Sequence, residues 1–206
     1  MSFIRVISAS AVAAVAFAAS AAAQCYTSAD LTRGLQVRFE NGDYTTFKRT
    51  NDGFLDVTEN YSDGSNPILF RAWKGVYFTS EHEIDAMGNA IPGTRLDIEF
   101  ESDVTRLPEP YPGVSWTGPT VNIFEAGGSR NEVTTATFSA HPDVTLSGCD
   151  YEAVQVDLRY DWGADGGLDL VYIYLPAIGT AYIRSNQFDR DTLNSTSAVA
   201  LEPMTK

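Results

Sequence analysis

The sequence predicts an all-β fold: an antiparallel sandwich or partly open barrel of about ten strands. Three observations carry this expectation. Short apolar–polar alternations recur along the chain, clusters of Gly, Asn, Asp and Pro punctuate them, and no amphipathic helix is predicted beyond one turn from Asp30 to Arg33.

The N-terminus is read first because it sets the compartment. Arg5 precedes an apolar run from Val6 to Ala19, broken by Ser8 and Ser10, and Ala21-Ala22-Ala23 supplies small residues for cleavage. That order is the one a secretory signal uses. The run is too short and Ala-rich for a membrane span, which needs ~20 predominantly apolar residues. Residues 1–23 are therefore expected to be a cleavable signal peptide, and 24–206 a single all-β domain, periplasmic or secreted, with no transmembrane anchor. Bulky Gln24 before Cys25 is unlike the small residue that precedes a lipidated cysteine, so no lipid is expected.

The cysteine count points the same way. Cys25 and Cys149 are the only two, and an even count in an oxidising compartment predicts a disulfide between them. Two cysteines lack the partners that a tetrahedral zinc site needs, and no metal or other cofactor is expected. The net charge of −13 becomes −14 once residues 1–23 leave, because Arg5 is the one charged residue they carry. Such a chain lacks the clustered bases that neutralise phosphates, so nucleic acid is excluded as a partner, and adsorption to an anionic membrane is disfavoured.

Leu35, Val37 and Phe39 alternate with Gln36, Arg38 and Glu40 ahead of Asn41-Gly42, a strong hairpin signal. A two-residue turn there would set Phe39 opposite Tyr44 and Val37 opposite Thr46. Further strands are expected over Phe54 to Tyr61, Pro67 to Trp73, Val76 to Ile84 and Thr94 to Glu101. Arg106 to Pro119 carries four prolines, at 108, 110, 112 and 119, and reads as a crossover or cap. Strands resume over Thr120 to Glu125, Glu132 to Ala140, Tyr151 to Tyr160, Leu168 to Leu175 and Thr180 to Phe188, and the polar tail after Asp189 is expected to be loose. The order Tyr, acidic turn, strand, Gly, aromatic strand occurs from Tyr61 to Phe78 and again from Tyr160 to Ile183, as a duplicated β-meander would produce.

The catalytic inventory is thin. His82 and His141 are the two histidines, and no G-x-S-x-G elbow occurs. Glu81-His82-Glu83 looks like a ligand cluster, but strand alternation puts His82 with Val76, Phe78 and Ile84 and sends both glutamates to the other face. Asp97, Glu99 and Glu101 form a carboxylate ladder with a spacing that suits glycoside hydrolysis, although a solvated strand face explains it more simply. The acidic, glycine-rich run from Asp161 to Asp169 lacks the calcium-loop spacing and reads as a hairpin loop. Tyr172 and Tyr174 share a face with Leu168 and Leu170, while Val171, Ile173 and Leu175 take the other. A strand apolar on both faces is covered twice or lines a pocket, so Tyr172 and Tyr174 are the candidate ligand-binding residues.

The run YEAVQVDLRYDWGADGGLDLVYIYLPAIGTAYIR, Tyr151 to Arg184, resembles the C-terminal strands of periplasmic β-sheet envelope proteins, where a hairpin precedes a YLP-x-x-G turn. It is distantly similar to the LolA/LolB-like lipoprotein-carrier group. The resemblance implies a curved sheet that holds an acyl chain, and it assigns no ligand residue. The sequence thus points to a non-catalytic periplasmic or envelope-associated binding protein, its partner a small lipophilic ligand or an envelope protein. The alternative is a secreted hydrolase acting on glycans through paired carboxylates.

Overall fold

Most of the alternations become strands where the sequence places them. The structure, a computed structural model, describes residues 25–189 and 191–204; the expected signal peptide and its cleavage site lie outside the described residues. The strands are β1 (Leu35–Phe39), β2 (Tyr44–Arg49), β3 (Leu55–Asn60), β4 (Ile68–Trp73), β5 (Tyr77–Glu83), β6 (Leu96–Phe100), β7 (Ser115–Phe124), β8 (Ser129–Leu146), β9 (Cys149–Asp161), β10 (Gly167–Leu175), β11 (Thr180–Phe188), β12 (Asn194–Ser195) and β13 (Ala198–Pro203). Sequence neighbours from β1 to β12 pair in order, β13 returns to the free edge of β1, and the whole is one 13-stranded antiparallel sheet. The single helical turn expected at Asp30 to Arg33 is a 3-10 turn over Ser28–Thr32.

The sheet is strongly curved. Phe78 of β5 meets Tyr172 of β10 with ring centroids 5.7 Å apart, and Tyr77 of β5 meets Phe138 of β8 at 6.5 Å, although those strands are well separated in the ladder. The ladder itself is not closed. The C-terminal segment reaches both edges: the Thr196 amide donates to the Arg184 carbonyl at 2.9 Å, and the Ser197 carbonyl accepts from the Glu40 amide at 3.0 Å. The tail is therefore not loose. Leu201 of β13 is fully buried, and its backbone exchanges hydrogen bonds with the Ser147 hydroxyl. The pairing of β13 with the exposed edge of β1 supplies the order that the tail's polar composition conceals.

Two other expectations are corrected. The proline-rich cap ends at Val114, because β7 begins at Ser115 and contains Trp116, Gly118 and Pro119. Pro119 is tolerated because β6 has already ended, at Phe100 opposite Thr120, so no ladder donor is required on that side. Gly118 is needed there: a Cβ would stand 2.5 Å from the Trp116 ring that lies across it. At the first hairpin the register is shifted by one from the expected turn. Val37 faces Thr45 and Arg38 faces Tyr44. The Phe39 amide donates to the Asp43 carbonyl, so the loop holds three residues and ends on Gly42 at φ +92°. The left-handed conformation of Gly42 makes the three-residue loop with a bulge that Asn-Gly also serves.

One end of the sheet is packed solid. Tyr77, Phe138, Leu146, Ile178 and Leu31 are almost wholly inaccessible. The N-terminal segment caps this end: Ser28 donates its amide to the Ala177 carbonyl, the Tyr26 amide donates to the Tyr151 hydroxyl, and the Cys25–Cys149 disulfide, foreseen from the cysteine count, ties the segment to the start of β9.

Candidate functional site

The other end is hollow. A half-open cavity of about 550 Å³ is lined by side chains from every strand between β3 and β11. Strand alternation explains the lining almost completely. Ile68 and Phe70, Leu96 and Ile98, Asn122 and Phe124, Arg130 and Glu132, Tyr160 and Trp162, and Leu168 and Leu170 are all residues i and i+2. Two pairs break the period, and each break has a bulge. Phe78 and Glu81 are three apart because Thr79 is extra opposite the Arg71–Ala72 step. Ile183 and Asn186 are three apart because Arg184 is extra opposite the Val171–Tyr172 step. A bulge turns all later side chains of its strand to the opposite face.

That rule corrects the reading of Glu81-His82-Glu83. The Thr79 bulge brings Glu81, not His82, to the face of Phe78, and Glu81 lines the cavity. The Asp97, Glu99 and Glu101 ladder stays on the outer face: Leu96 and Ile98 point inward, Glu99 and Glu101 are exposed, and Asp97 pairs with Arg95 at 2.6 Å. It is a solvated face. The run from Asp161 to Asp169 is a hairpin loop with a 3-10 turn at Gly163–Asp165. Among the described residues no group of three or more His, Cys, Asp or Glu side chains is placed to hold a metal ion.

Tyr172 and Tyr174 are buried in the packed half and are not among the lining residues. Tyr172 supports the cavity from below, through its ring contact with Phe78. Ile173 and Leu175 on the opposite face of β10 are buried as well, so this stretch of strand is covered twice.

The polar groups of the cavity form two sets. Glu132 is the centre of the first. Thr120 stands directly opposite it in the β7–β8 ladder, Asn122 is diagonal to it, and Thr134 is two residues along. The Thr120 and Thr134 hydroxyls donate to Glu132 Oε1 at 2.7 and 2.9 Å, and Asn122 Nδ2 donates to Oε2 at 3.0 Å. Trp162 Nε1, from the loop after β9, adds a fourth bond at 2.6 Å to Oε2. The Arg130 guanidinium covers the other side of Trp162, with Cζ 3.9 Å from the ring centroid, a close cation–π contact.

The second set is less satisfied. Glu59 accepts one bond, from the Tyr61 hydroxyl at 2.9 Å, and burial pushes its carboxyl up. Glu81 has neither a hydrogen bond nor an ion pair among the described residues, although it is surrounded by protein. Burial, then the charges of Glu59 and Glu132, push its carboxyl up to about 7. Asn122 Oδ1 is buried without a partner, and so is Arg130 Nε. The Tyr160 hydroxyl is pushed well above its ordinary range by burial and by the charges of Glu132 and Glu81.

Sequence reasoning passed over Glu59, Asn122, Arg130, Glu132 and Trp162. A signal was present in the threonine-rich alternation around Glu132, in which Glu132 and Thr134 occupy inward positions. No protein family, curated protein or solved structure matches the chain.

Proposed function

We propose that this protein is a non-catalytic, periplasmic or secreted binding protein that takes a small lipophilic ligand into the open end of its curved sheet. The observation that carries the proposal is a cavity of about 550 Å³ lined by Ile68, Phe70, Phe78, Leu96, Ile98 and Phe124 and interrupted by a few polar groups. Ligand sites have this size and this composition, and a core that serves stability alone closes such spaces. The test is titration of the purified protein with N-phenyl-1-naphthylamine, a neutral dye that brightens in apolar surroundings. The parent should bind it, and Leu170→Trp, which fills the cavity with an indole, should not. Absence of dye binding by the folded parent would refute the proposal.

The glycan-hydrolase alternative has one observation in its favour: Glu81, pushed up to about 7, shares a cavity with Glu132, and such an arrangement can serve as a general acid beside a carboxylate. The apolar lining disfavours it, since a sugar needs hydrogen-bond partners around its ring. Release of reducing ends from polysaccharides that is lost in Glu81→Gln would establish it.

A further inference from the structure

Resting on the binding reading above, we infer that the cavity selects a lipophilic organic ammonium: an alkyl or aryl chain that carries one positively charged amine.

The apolar part of the ligand follows from the lining, and the head group follows from what the polar groups lack. Glu81 faces the cavity with no hydrogen bond or ion pair, and Glu59 has only the Tyr61 hydroxyl. Asn122 is 2% exposed and lines the same cavity, and its Oδ1 has no partner. All three are acceptors in want of a donor. An ammonium group offers three N–H donors and a positive charge, so one head group can answer several of them. A hydroxyl offers one donor and no charge, and a carboxylate offers repulsion.

The charge balance agrees. Glu59, Glu81 and Glu132 are the carboxyl groups of the lining, and Arg130 is its one cation. Arg130 is stacked between Trp162 and Phe124, with Cζ 3.9 and 5.6 Å from the ring centroids, on the same strand as Glu132. Its unpartnered Nε is the one feature that would favour an anion. Glu59 on β3 and Glu81 on β5 lie on strands other than its own. A cation that reaches Glu81 would also draw down a carboxyl group that is about half protonated at pH 7, so binding releases part of that proton.

The experiment is calorimetric titration of the purified protein at pH 7 with octylammonium, 1-octanol and octanoate, in two buffers of different ionisation enthalpy. Octylammonium should bind at least about 10-fold tighter than octanol, with octanoate weakest, and should release about half a proton. Glu81→Gln should remove most of the ammonium preference over octanol and the proton release. Equal affinity for octanol and octylammonium, or tightest binding of octanoate, would overturn the ammonium inference and leave the lipophilic-binding reading intact. Failure of all three to bind would overturn both.

Discussion

The bonds around Glu132 allow a sharp test of what holds the open end together. Glu132 accepts from two threonine hydroxyls on Oε1 and from Asn122 Nδ2 and Trp162 Nε1 on Oε2. These partners differ in kind. A hydroxyl can turn and accept, whereas an indole N–H and an amide N–H can only donate. In Glu132→Gln the new amide nitrogen can face Thr120 and Thr134, which rotate to accept, while its oxygen keeps the Asn122 and Trp162 bonds. The cost is then the downgrade from charge-assisted to neutral hydrogen bonds, offset by the removal of a buried charge, and it should stay within about 2 kcal/mol. Glu132→Leu leaves Asn122 Nδ2 and Trp162 Nε1 buried without an acceptor. At roughly 1–3 kcal/mol per orphaned donor, and with the threonines free to pair with each other across their 2.8 Å contact, the loss should be about 2–5 kcal/mol. Urea unfolding followed by far-ultraviolet circular dichroism measures both variants without relying on Trp162 as a reporter. If Leu at this position costs no more than Gln, with an unchanged urea slope, the satisfied carboxylate does not anchor the cavity wall.

Two further outcomes follow from the same structure. Between about pH 4.5 and 7 the folded chain holds a proton on Glu81 that the unfolded chain has released, so stability should fall by roughly 1–3 kcal/mol as pH rises through that window, and level off above it. Glu59 is shifted in the same direction and adds with the same sign, whereas the lowered carboxyls of Asp30, Asp52 and Asp85 act oppositely and only at more acid pH. Urea midpoints from pH 5 to 8 should show the fall, and Glu81→Gln should flatten much of it; a flat parent profile would count against a raised Glu81. The disulfide closes a loop with a sequence separation of 124, and the double change Cys25→Ala, Cys149→Ala should cost up to about 4–5 kcal/mol, read as a lower urea midpoint than the oxidised parent; equal midpoints would show that the N-terminal cap holds unaided.

The architecture was legible in the sequence because alternation, turn residues and cysteine count are local signals. The all-β class, the hairpin loop at Asp161 to Asp169 and the pairing of Cys25 with Cys149 follow from them. What escaped is non-local. The ordering of the tail depends on the free edge of β1, which only the assembled sheet defines. The cavity face was misassigned at Glu81 because a single inserted residue, Thr79, inverts the alternation beyond it, and nothing in the composition of Thr79-Ser80 marks a bulge. The internal echo has one structural counterpart. Tyr77-Phe78 and Tyr182-Ile183 occupy matching places in the two echoed stretches, and in both the bulge falls on the very next residue, Thr79 or Arg184. Sequence reasoning chose Tyr172 and Tyr174 because aromatic residues suit pockets; they are buried in the packed half instead, and the hollow begins where Glu59, Glu81 and Glu132 interrupt a lining of other aromatic and aliphatic residues.

That contrast explains why one sheet has a solid end and a hollow one. In the packed half the inward positions carry rings that reach across the interior: Tyr77 meets Phe100, Trp116 and Phe138 edge-on at 6.2 to 6.5 Å, and its hydroxyl donates to the Pro108 carbonyl. In the open half the same inward positions carry Glu59, Glu81, Asn122 and Glu132. Collapse of the walls onto these groups would strip water from Glu81, which has no internal partner to replace it, so the space stays open to solvent. Apolar residues at those positions would make a denser and more stable interior. The fold satisfies four donors around Glu132 yet leaves Glu81, and the Oδ1 of Asn122 that is itself one of those donors, unanswered in the same cavity, and there it departs from the most stable solution.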